Sequence, residues 1–348
     1  MQTESGTELA ATNIILATGA RAKSLPFLPF ENPAVLGPHE ALELTTAPKS
    51  LGIIGAGAVG VEFAYYFNAY GTEVTILEML PHLVPNEDEE VCRGFEQAFT
   101  KLGVGFKTGV SLIGADFGQK QVVLSYKDGD GGTHEVAVEK VLVGVGAAPN
   151  SDEIGLETVG VSTERGFVPV NAQMRTNVPG IYAIGDLTGP PLLAHVASAQ
   201  GVIAAEVIAG QQPPVLDYDQ MPRATYAQPQ IASIGLTEKQ AKERGRNIRT
   251  GKFPFSANGK ATALGDTEGF AKIIEDADTG QIIGAHVLGH DVSEMLGELS
   301  MASLVESTPR ELGFAVHPHP TLSEAIKEAA LAVDKEAIHI WQGQRGGR

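Results

Sequence analysis

One stretch constrains the fold of this chain more than any other. In LGIIGAGAVGVEFA, residues 51–64, an apolar run meets Gly55, Gly57 and Gly60 in the spacing G-x-G-x-x-G, and a helical pattern follows at once. Strand, glycine turn and helix in that order begin a βαβ unit that binds a dinucleotide. Gly55 allows the tight turn, Gly57 leaves room for a pyrophosphate, and Gly60 lets the helix lie close to the strand. The phosphate charge then meets unpaired N–H groups at the helix N-terminus. Spacing alone says little in a chain with 41 glycines, but the second strand, EVTIL at 73–77, supplies the context. It leads into Glu78, whose carboxylate suits the ribose hydroxyls of NAD and repels the extra phosphate of NADP. No Arg or Lys follows in MLPHLVP to receive that phosphate. The chain is therefore expected to bind NAD and to do redox chemistry.

Length and charge narrow the setting. The chain has 348 residues, and single cores stop growing at roughly 250–300, so two or more domains are expected. The 42 acidic residues outnumber the 25 basic ones, for a formal charge of -17. With no Lys/Arg stripe to neutralise phosphates, nucleic acid is excluded as a partner. No apolar run is long enough for a membrane span, and MQTESGTELAA has no signal-peptide organisation, so a cytoplasmic location is expected. Cys92 is the only cysteine, which rules out an intrachain disulfide, a multi-thiolate zinc site and a CxxC motif. It sits in the helical pattern EDEEVCRGFEQAF, where packing is its ordinary role.

The pattern predicts a strand at 12–16, the βαβ unit at 47–77, a helix over 88–102, and strands and hairpins to about residue 150 with turns at 128–132. Further strands are expected at 166–170 and 180–184, with a helix over 195–209. The Pro-rich GQQPPVLDYDQMP reads as a linker. Beyond it, strands at 224–234, 251–255, 269–275 and 282–288, with helices at 237–244, 294–307 and 321–333, indicate an α+β domain built on an antiparallel sheet. The final GQRGGR reads as a disordered tail.

A second set of motifs widens the reading. IILATGA at 14–20, the Gly55 motif, VGVGAAPN at 143–150, AIGDL at 183–187 and HPHPTLSE at 317–324 occur in one order along the chain. In that order and approximate spacing they resemble the flavin-dependent pyridine nucleotide-disulfide oxidoreductases, most nearly the dihydrolipoyl dehydrogenases. The resemblance runs to about residue 335 and includes YAQPQIASIGLTEKQAKERG, KFPFSANGKATALGDTEGFAKII and GAHVLGHDVSEM. It implies FAD held by a split domain, NAD by an inserted domain, and a C-terminal domain that forms a homodimer. Thr18, Gly19 and Gly146 then look like turn residues of the cofactor-binding segments, and Asp186 like the ligand of the flavin ribityl chain. Leu193, Ala194 and His195 look like the segment passing near the isoalloxazine ring. Glu62 resembles the family's nicotinamide-side glutamate, although a carboxylate on the first turns of a helix also compensates the helix dipole. Domain limits of 1–47, 48–165, 166–215 and 216–335, with a tail at 336–348, follow from the same resemblance.

The resemblance also makes His319 the acid/base for a dihydrolipoyl thiol, oriented by Glu324, in a site completed across the dimer. A reference pKa of about 6.5 suits histidine to proton gain and loss near neutrality. Thr321 followed by Glu324 is equally a capping box at a helix start, and His317 reads as structural. The partner implied is a lipoyl-bearing subunit of a 2-oxo acid dehydrogenase or glycine cleavage complex. Basic residues after Glu78 would have indicated a glutathione-type reductase, and C-terminal cysteines a mercury reductase; neither is present. A noncatalytic NAD-binding or partner-binding subunit is the alternative.

Two departures stand out. Ala147 replaces the Arg common in GRxPN, and the family's first glycine fingerprint and its CxxxxC pair are absent. The expected fold is thus α/β, a truncated FAD/NAD(P)-binding disulfide oxidoreductase fold with a C-terminal α+β dimerisation domain. Such a chain is expected to hold FAD poorly and to lack lipoamide activity by itself.

Overall fold

The computed structural model describes residues 5–343; of the proposed tail at 336–348, residues 344–348 lie outside them. The chain divides into two compact units, one made of residues 5–23 and 146–218, the other of 24–145 and 219–343.

In the larger unit a parallel sheet forms from Val35–Leu36, Lys140–Val143, Ser50–Ile54, Glu73–Leu77 and Gly105–Lys107, in that spatial order. Leu51 and Ile53 are wholly buried, as the continuous apolar run requires of a strand covered on both faces. Helix Ala58–Ala69 follows the glycine turn, and helix Glu89–Lys101 is capped by Asp88, which accepts the Glu90 N–H. Three antiparallel strands, Ser111–Phe117, Val122–Lys127 and Thr133–Val138, lean on this sheet at Gly52, where a β-carbon would come within 2.8 Å of Leu124. The segment 24–47 contributes Val35–Leu36 to the same sheet, so it packs with the nucleotide-binding part.

The C-terminal portion is an antiparallel sheet ordered Arg223–Thr225, Gln230–Gly235, Ile282–Gly289, Phe270–Asp276, Ile248–Pro254. The stretch expected as one strand at 224–234 is thus two strands of a hairpin. One face of the sheet packs against helix Glu324–Val333 through Phe253, Ile273, Ala285, Ile326 and Ala329. Close contact is possible because Gly251 lacks a side chain: a β-carbon there would lie 2.2 Å from the Ala329 carbonyl oxygen. The opposite face is part apolar, with Ile231 and Leu288 continuous with the nucleotide-domain core. Across that face the register also aligns Arg223, Ser233, His286, Lys272 and Lys252 in a row.

The row meets the acidic start of helix Glu89–Lys101. Glu87 faces Arg223 at 3.6 Å; Lys272 reaches Asp88 at 2.8 Å, Glu90 at 2.9 Å and Glu238 at 2.8 Å; Lys252 pairs with Glu90. Lys272 is 1% exposed, and a buried ammonium is tolerated only when carboxylates surround it. Burial alone would lower its pKa, but the bonds to Asp88, Glu238 and Glu90 raise it instead. Burial would raise Asp88, yet the nearby His286, the Lys272 bond and the Glu238 N–H hold it below the ordinary range. Glu90 and Glu238 are depressed as well, both through lysine hydrogen bonds that outweigh burial.

The smaller unit has a packed interior. Ile14–Leu16 pairs in parallel with Ile181–Ala183, and Ala20–Ala22 pairs antiparallel with Ala147–Pro149. Val168, Ala183 and Leu187 form one apolar cluster, and Met174 and Tyr182 form another with Ile203 and Val207 of helix Ala194–Ile208. Residues 166–170 do not form the expected strand. Arg165 and Gly166, at φ 52° and 88°, make a tight turn that allows only the Glu164–Phe167 bridge. Among the described residues no helix is long and apolar enough to cross a membrane.

Two measurements check this packing. The Cys92 thiol is pushed up to about 12 by burial and by the negative charges of Glu87, Glu96 and Asp88. It should therefore resist a thiol reagent at pH 8 in the folded protein and react only after denaturation; native reaction at a free-thiol rate would show an unpacked helix. The ordinary values of Asp88, Glu90 and Glu238 are 3.8, 4.5 and 4.5. Because the folded values lie lower, this network stabilises fully above those values and loses its contribution as pH falls through the depressed ones. Urea unfolding against pH should show that acid slope, and Asp88→Asn should reduce it.

Candidate functional site

The glycine turn is built as its spacing demands. Gly55 has φ 99°, a left-handed backbone that favours glycine, and a β-carbon there would strike the Gly144 carbonyl oxygen at 2.5 Å. Gly60 allows the closest approach: its β-carbon would lie 2.0 Å from the Gly55 carbonyl oxygen. At Gly57, the N-cap of helix Ala58–Ala69, a β-carbon would meet nothing within 4 Å, so a side chain there would fill the open cradle over the helix N-terminus. Glu78 is buried, and each of its carboxylate oxygens accepts one backbone N–H: Oε2 from Ala56 at 2.6 Å and Oε1 from Leu80 at 2.7 Å. Those bonds fix the carboxylate beside the turn, while its remaining lone pairs are free in number to accept ribose hydroxyls. These residues fit NAD. Basic side chains are absent from 79–85, and the one imidazole there, His82, is turned to Glu96 at 3.1 Å.

Glu62 lies on the same helix, half-buried, and its Oε1 accepts the Tyr226 N–H at 2.8 Å. Burial raises its pKa, partly opposed by that N–H. Its carboxylate thus has a specific partner beyond the helix dipole.

Thr18, Gly19, Gly146 and Asp186 belong to the smaller unit. The Thr18 hydroxyl donates to the Asn150 carbonyl at 2.7 Å, the Asn150 amide donates to the Thr18 carbonyl at 3.0 Å, and the Asn150 N–H reaches the Gly19 carbonyl at 2.9 Å. Gly146, at φ 95°, accepts the Lys23 N–H. The ATGA and GAAPN segments are therefore stitched together, and Ala147 pairs in the sheet with Ala22. Asp186 sits half-buried in the 3-10 turn Gly185–Thr188 that follows strand Ile181–Ala183. Leu193 is the N-cap of helix Ala194–Ile208, which puts Ala194 and His195 on its exposed first turn. Sequence reasoning missed Gln200, which is buried, accepts the Gly185 N–H at 2.6 Å and donates to the Tyr218 hydroxyl at 2.9 Å. Its signal was a lone amide in an otherwise apolar helical stretch.

The C-terminal dyad is formed within one chain. His319 Nδ1 lies 3.0 and 3.2 Å from the two Glu324 oxygens, and Glu324 Oε2 also accepts the Thr321 N–H at 2.8 Å. The helix starts at Glu324 with Ser323 as N-cap, three residues after the expected start, yet the carboxylate still reaches back to Thr321. Thr321 is therefore not the N-cap and no capping box forms, although Glu324 contacts both the Thr321 N–H and His319. Burial would raise its pKa, but the Thr321 N–H and the His319 bond and charge, with His339 farther off, hold it below the ordinary range. Since Nδ1 is taken by Glu324 and the ring is 75% exposed, Nε2 is directed outward. His317 differs: its side chain is 6% exposed, with Nδ1 on the Ala315 carbonyl and Nε2 on Glu298. Phe314 and Val316, just before the dyad, are almost fully exposed, as are Leu304 and Met301 in large part.

The same two halves are found together in known proteins. A pyridine nucleotide-disulphide oxidoreductase family model matches residues 1–201, and the dimerisation-domain model of the same family matches 221–330. The dihydrolipoyl dehydrogenase of Corynebacterium glutamicum is 44% identical over 342 residues, 97% of this chain and 73% of that one. The Bacillus subtilis enzyme of that name is 42% identical over 333 residues, 95% and 70% of the two chains. Among solved structures, LpdA from Mycobacterium tuberculosis superposes with a TM-score of 0.87 at 28% identity, over 94% of this chain and 72% of that one. The flavoprotein disulfide reductase RclA from Escherichia coli gives 0.86 at 26%, over 94% and 75%.

These matches correct the expectation of a truncated fold lacking its FAD-binding region. The first family model runs from residue 1, both family domains are matched, and the superpositions span nearly the whole chain. The family's CxxxxC pair is still absent from the sequence, in which Cys92 is the only cysteine. Two family domains, a built nucleotide turn and relatives above 40% identity leave one assignment: the chain belongs to the pyridine nucleotide-disulphide oxidoreductase family, as a FAD- and NAD-linked oxidoreductase of the dihydrolipoyl dehydrogenase type.

Proposed function

We propose that the chain serves the NAD-linked oxidation of protein-bound dihydrolipoamide, with His319 as its acid/base and Glu324 as the group that orients it. The observation carrying this reading is the engagement of His319 Nδ1 by Glu324. An imidazole held through Nδ1 presents Nε2 to a substrate thiol, and the carboxylate behind it stabilises the imidazolium formed when Nε2 takes the proton. Cys92 takes no part, because burial keeps its thiol protonated.

Gly55, Gly57, Gly60 and Glu78 would hold NAD, with Glu62 toward the nicotinamide end. Thr18, Gly19, Gly146, Asp186, Leu193, Ala194 and His195 would hold FAD. When bound, the flavin and nicotinamide supply the hydride chemistry, and the protein supplies placement and charge. The exposed apolar residues of the dimerisation domain support a homodimer, and the substrate class supports a lipoyl-bearing subunit of a 2-oxo acid dehydrogenase or glycine cleavage complex as partner, in the cytoplasm.

Two sets of variants test the assignment. Glu78→Ala and Gly57→Val should each weaken NADH binding about tenfold or more, the former by loss of charge-assisted hydrogen bonds, with melting temperature followed in parallel. Unchanged affinity in both would remove the nucleotide site from the glycine turn. In the flavin-loaded protein, His319→Gln should lower dihydrolipoamide oxidation by about 10²–10⁴, and Glu324→Gln should shift the pH profile of the reaction. A His319 variant as fast as the parent would end the acid/base role.

A further inference from the structure

We infer that Lys272, on the C-terminal sheet, is a positioning residue for the NAD half of the site, acting through Asp88 and residues 84–88 on the glycine turn. This inference rests on the reading of that turn as the NAD site.

The path is short, and each step is a hydrogen bond or a chain connection. Lys272 Nζ holds Asp88 Oδ1 at 2.8 Å. The Asp88 carboxylate is shared further, Oδ1 accepting the Glu90 N–H and Oδ2 the Glu238 N–H at 3.0 Å, so its place is fixed from three directions. Four residues earlier, Val84 is buried in a left-handed backbone at φ 47°, a conformation that costs a β-branched residue energy and persists only where its surroundings impose it. Those surroundings are visible. The Val84 carbonyl accepts the Glu87 N–H at 2.9 Å and the Cys92 thiol at 3.4 Å, and the Val84 N–H donates to the Ala56 carbonyl at 2.8 Å. Ala56 lies between Gly55 and Gly57, and its own N–H is the donor to Glu78 Oε2. Residues 84–88 therefore tie the glycine turn and the ribose-side carboxylate to a lysine almost 200 positions away in sequence.

Packing alone does not call for a lysine here. Its neighbours Ala271 and Ile273 face the helix side of the same strand as ordinary apolar core, and replacing a buried ion cluster by hydrocarbon is often neutral or stabilising. What the ammonium adds is a fixed point for three carboxylates, two of which, Asp88 and Glu90, begin helix Glu89–Lys101, directly after the segment that carries Val84.

The test is Lys272→Met with Lys272→Arg, Asp88→Asn and Glu78→Ala in the same chain. NADH affinity is read by fluorescence, and amide hydrogen exchange is followed in peptides covering 54–60 and 78–86. All are measured below the melting temperature of each variant. Lys272→Met should weaken NADH binding about tenfold, in the range of couplings between residues of one network, and speed exchange at Ala56 and Val84. Lys272→Arg should recover part of the affinity. Should Lys272→Met fail to fold, Asp88→Asn, which leaves Lys272 two carboxylates, is expected to show the same two changes. Lower melting temperatures with NADH affinity and exchange at Ala56 unchanged would assign the cluster to stability alone and overturn the inference. If Glu78→Ala also left affinity untouched, the nucleotide-site reading would fail along with it, whereas weakening by Glu78→Ala alone would sink only the role of Lys272.

Discussion

The close approach of Gly60 to the Gly55 carbonyl sets the geometry on which the nucleotide half depends. With 2.0 Å between that oxygen and the nearest place a β-carbon could occupy, the helix can sit directly on the strand end. Its N-terminal amides then converge beside the Glu78 carboxylate. A bulkier residue would lift the helix, separate Ala56 from Glu78, and scatter the groups that a dinucleotide must meet together. The parallel sheet, the helix and the acidic strand end are thus one constraint expressed at three places.

The same economy of groups recurs at the far end of the chain. Glu324 accepts the Thr321 N–H, which steadies the approach to its helix, and holds His319 with both oxygens. A carboxylate already required by the backbone is poorly free to move, and that fixity suits a residue that must orient an imidazole. Glutamate in this position therefore holds a backbone N–H and an imidazole with one set of lone pairs.

Much of this was legible before the structure. The G-x-G-x-x-G turn, Glu78 and the antiparallel C-terminal sheet are local patterns, carried by glycine spacing and by alternation of apolar residues. The His319–Glu324 pair was legible only through family resemblance, since five residues of separation across a proline say little by themselves. What stayed hidden is long-range. Lys272 sits in FAKIIED as the one basic residue, flanked by Ala271 and Ile273, and nothing nearby announces partners at Asp88 and Glu90. Gln200 and the reciprocal Thr18–Asn150 bonds are of the same kind, each needing segments that meet only in three dimensions. The strand expected at 166–170 failed for a local reason, because Arg165 takes up a left-handed turn that residue type alone does not advertise. The expectation of a truncated fold fails because both family models find their match, over residues 1–201 and 221–330.

Gly251 has an effect beyond its own strand. The helix that opens with Glu324 rests on the bare backbone there, with the Ala329 carbonyl and the Val333 amide both inside the space a methyl group would need. Alanine, ordinarily the mildest of replacements, would have to push the helix off the sheet, and the orienting carboxylate would travel with it. One absent methyl group on the sheet thereby sets where the Glu324 carboxylate stands.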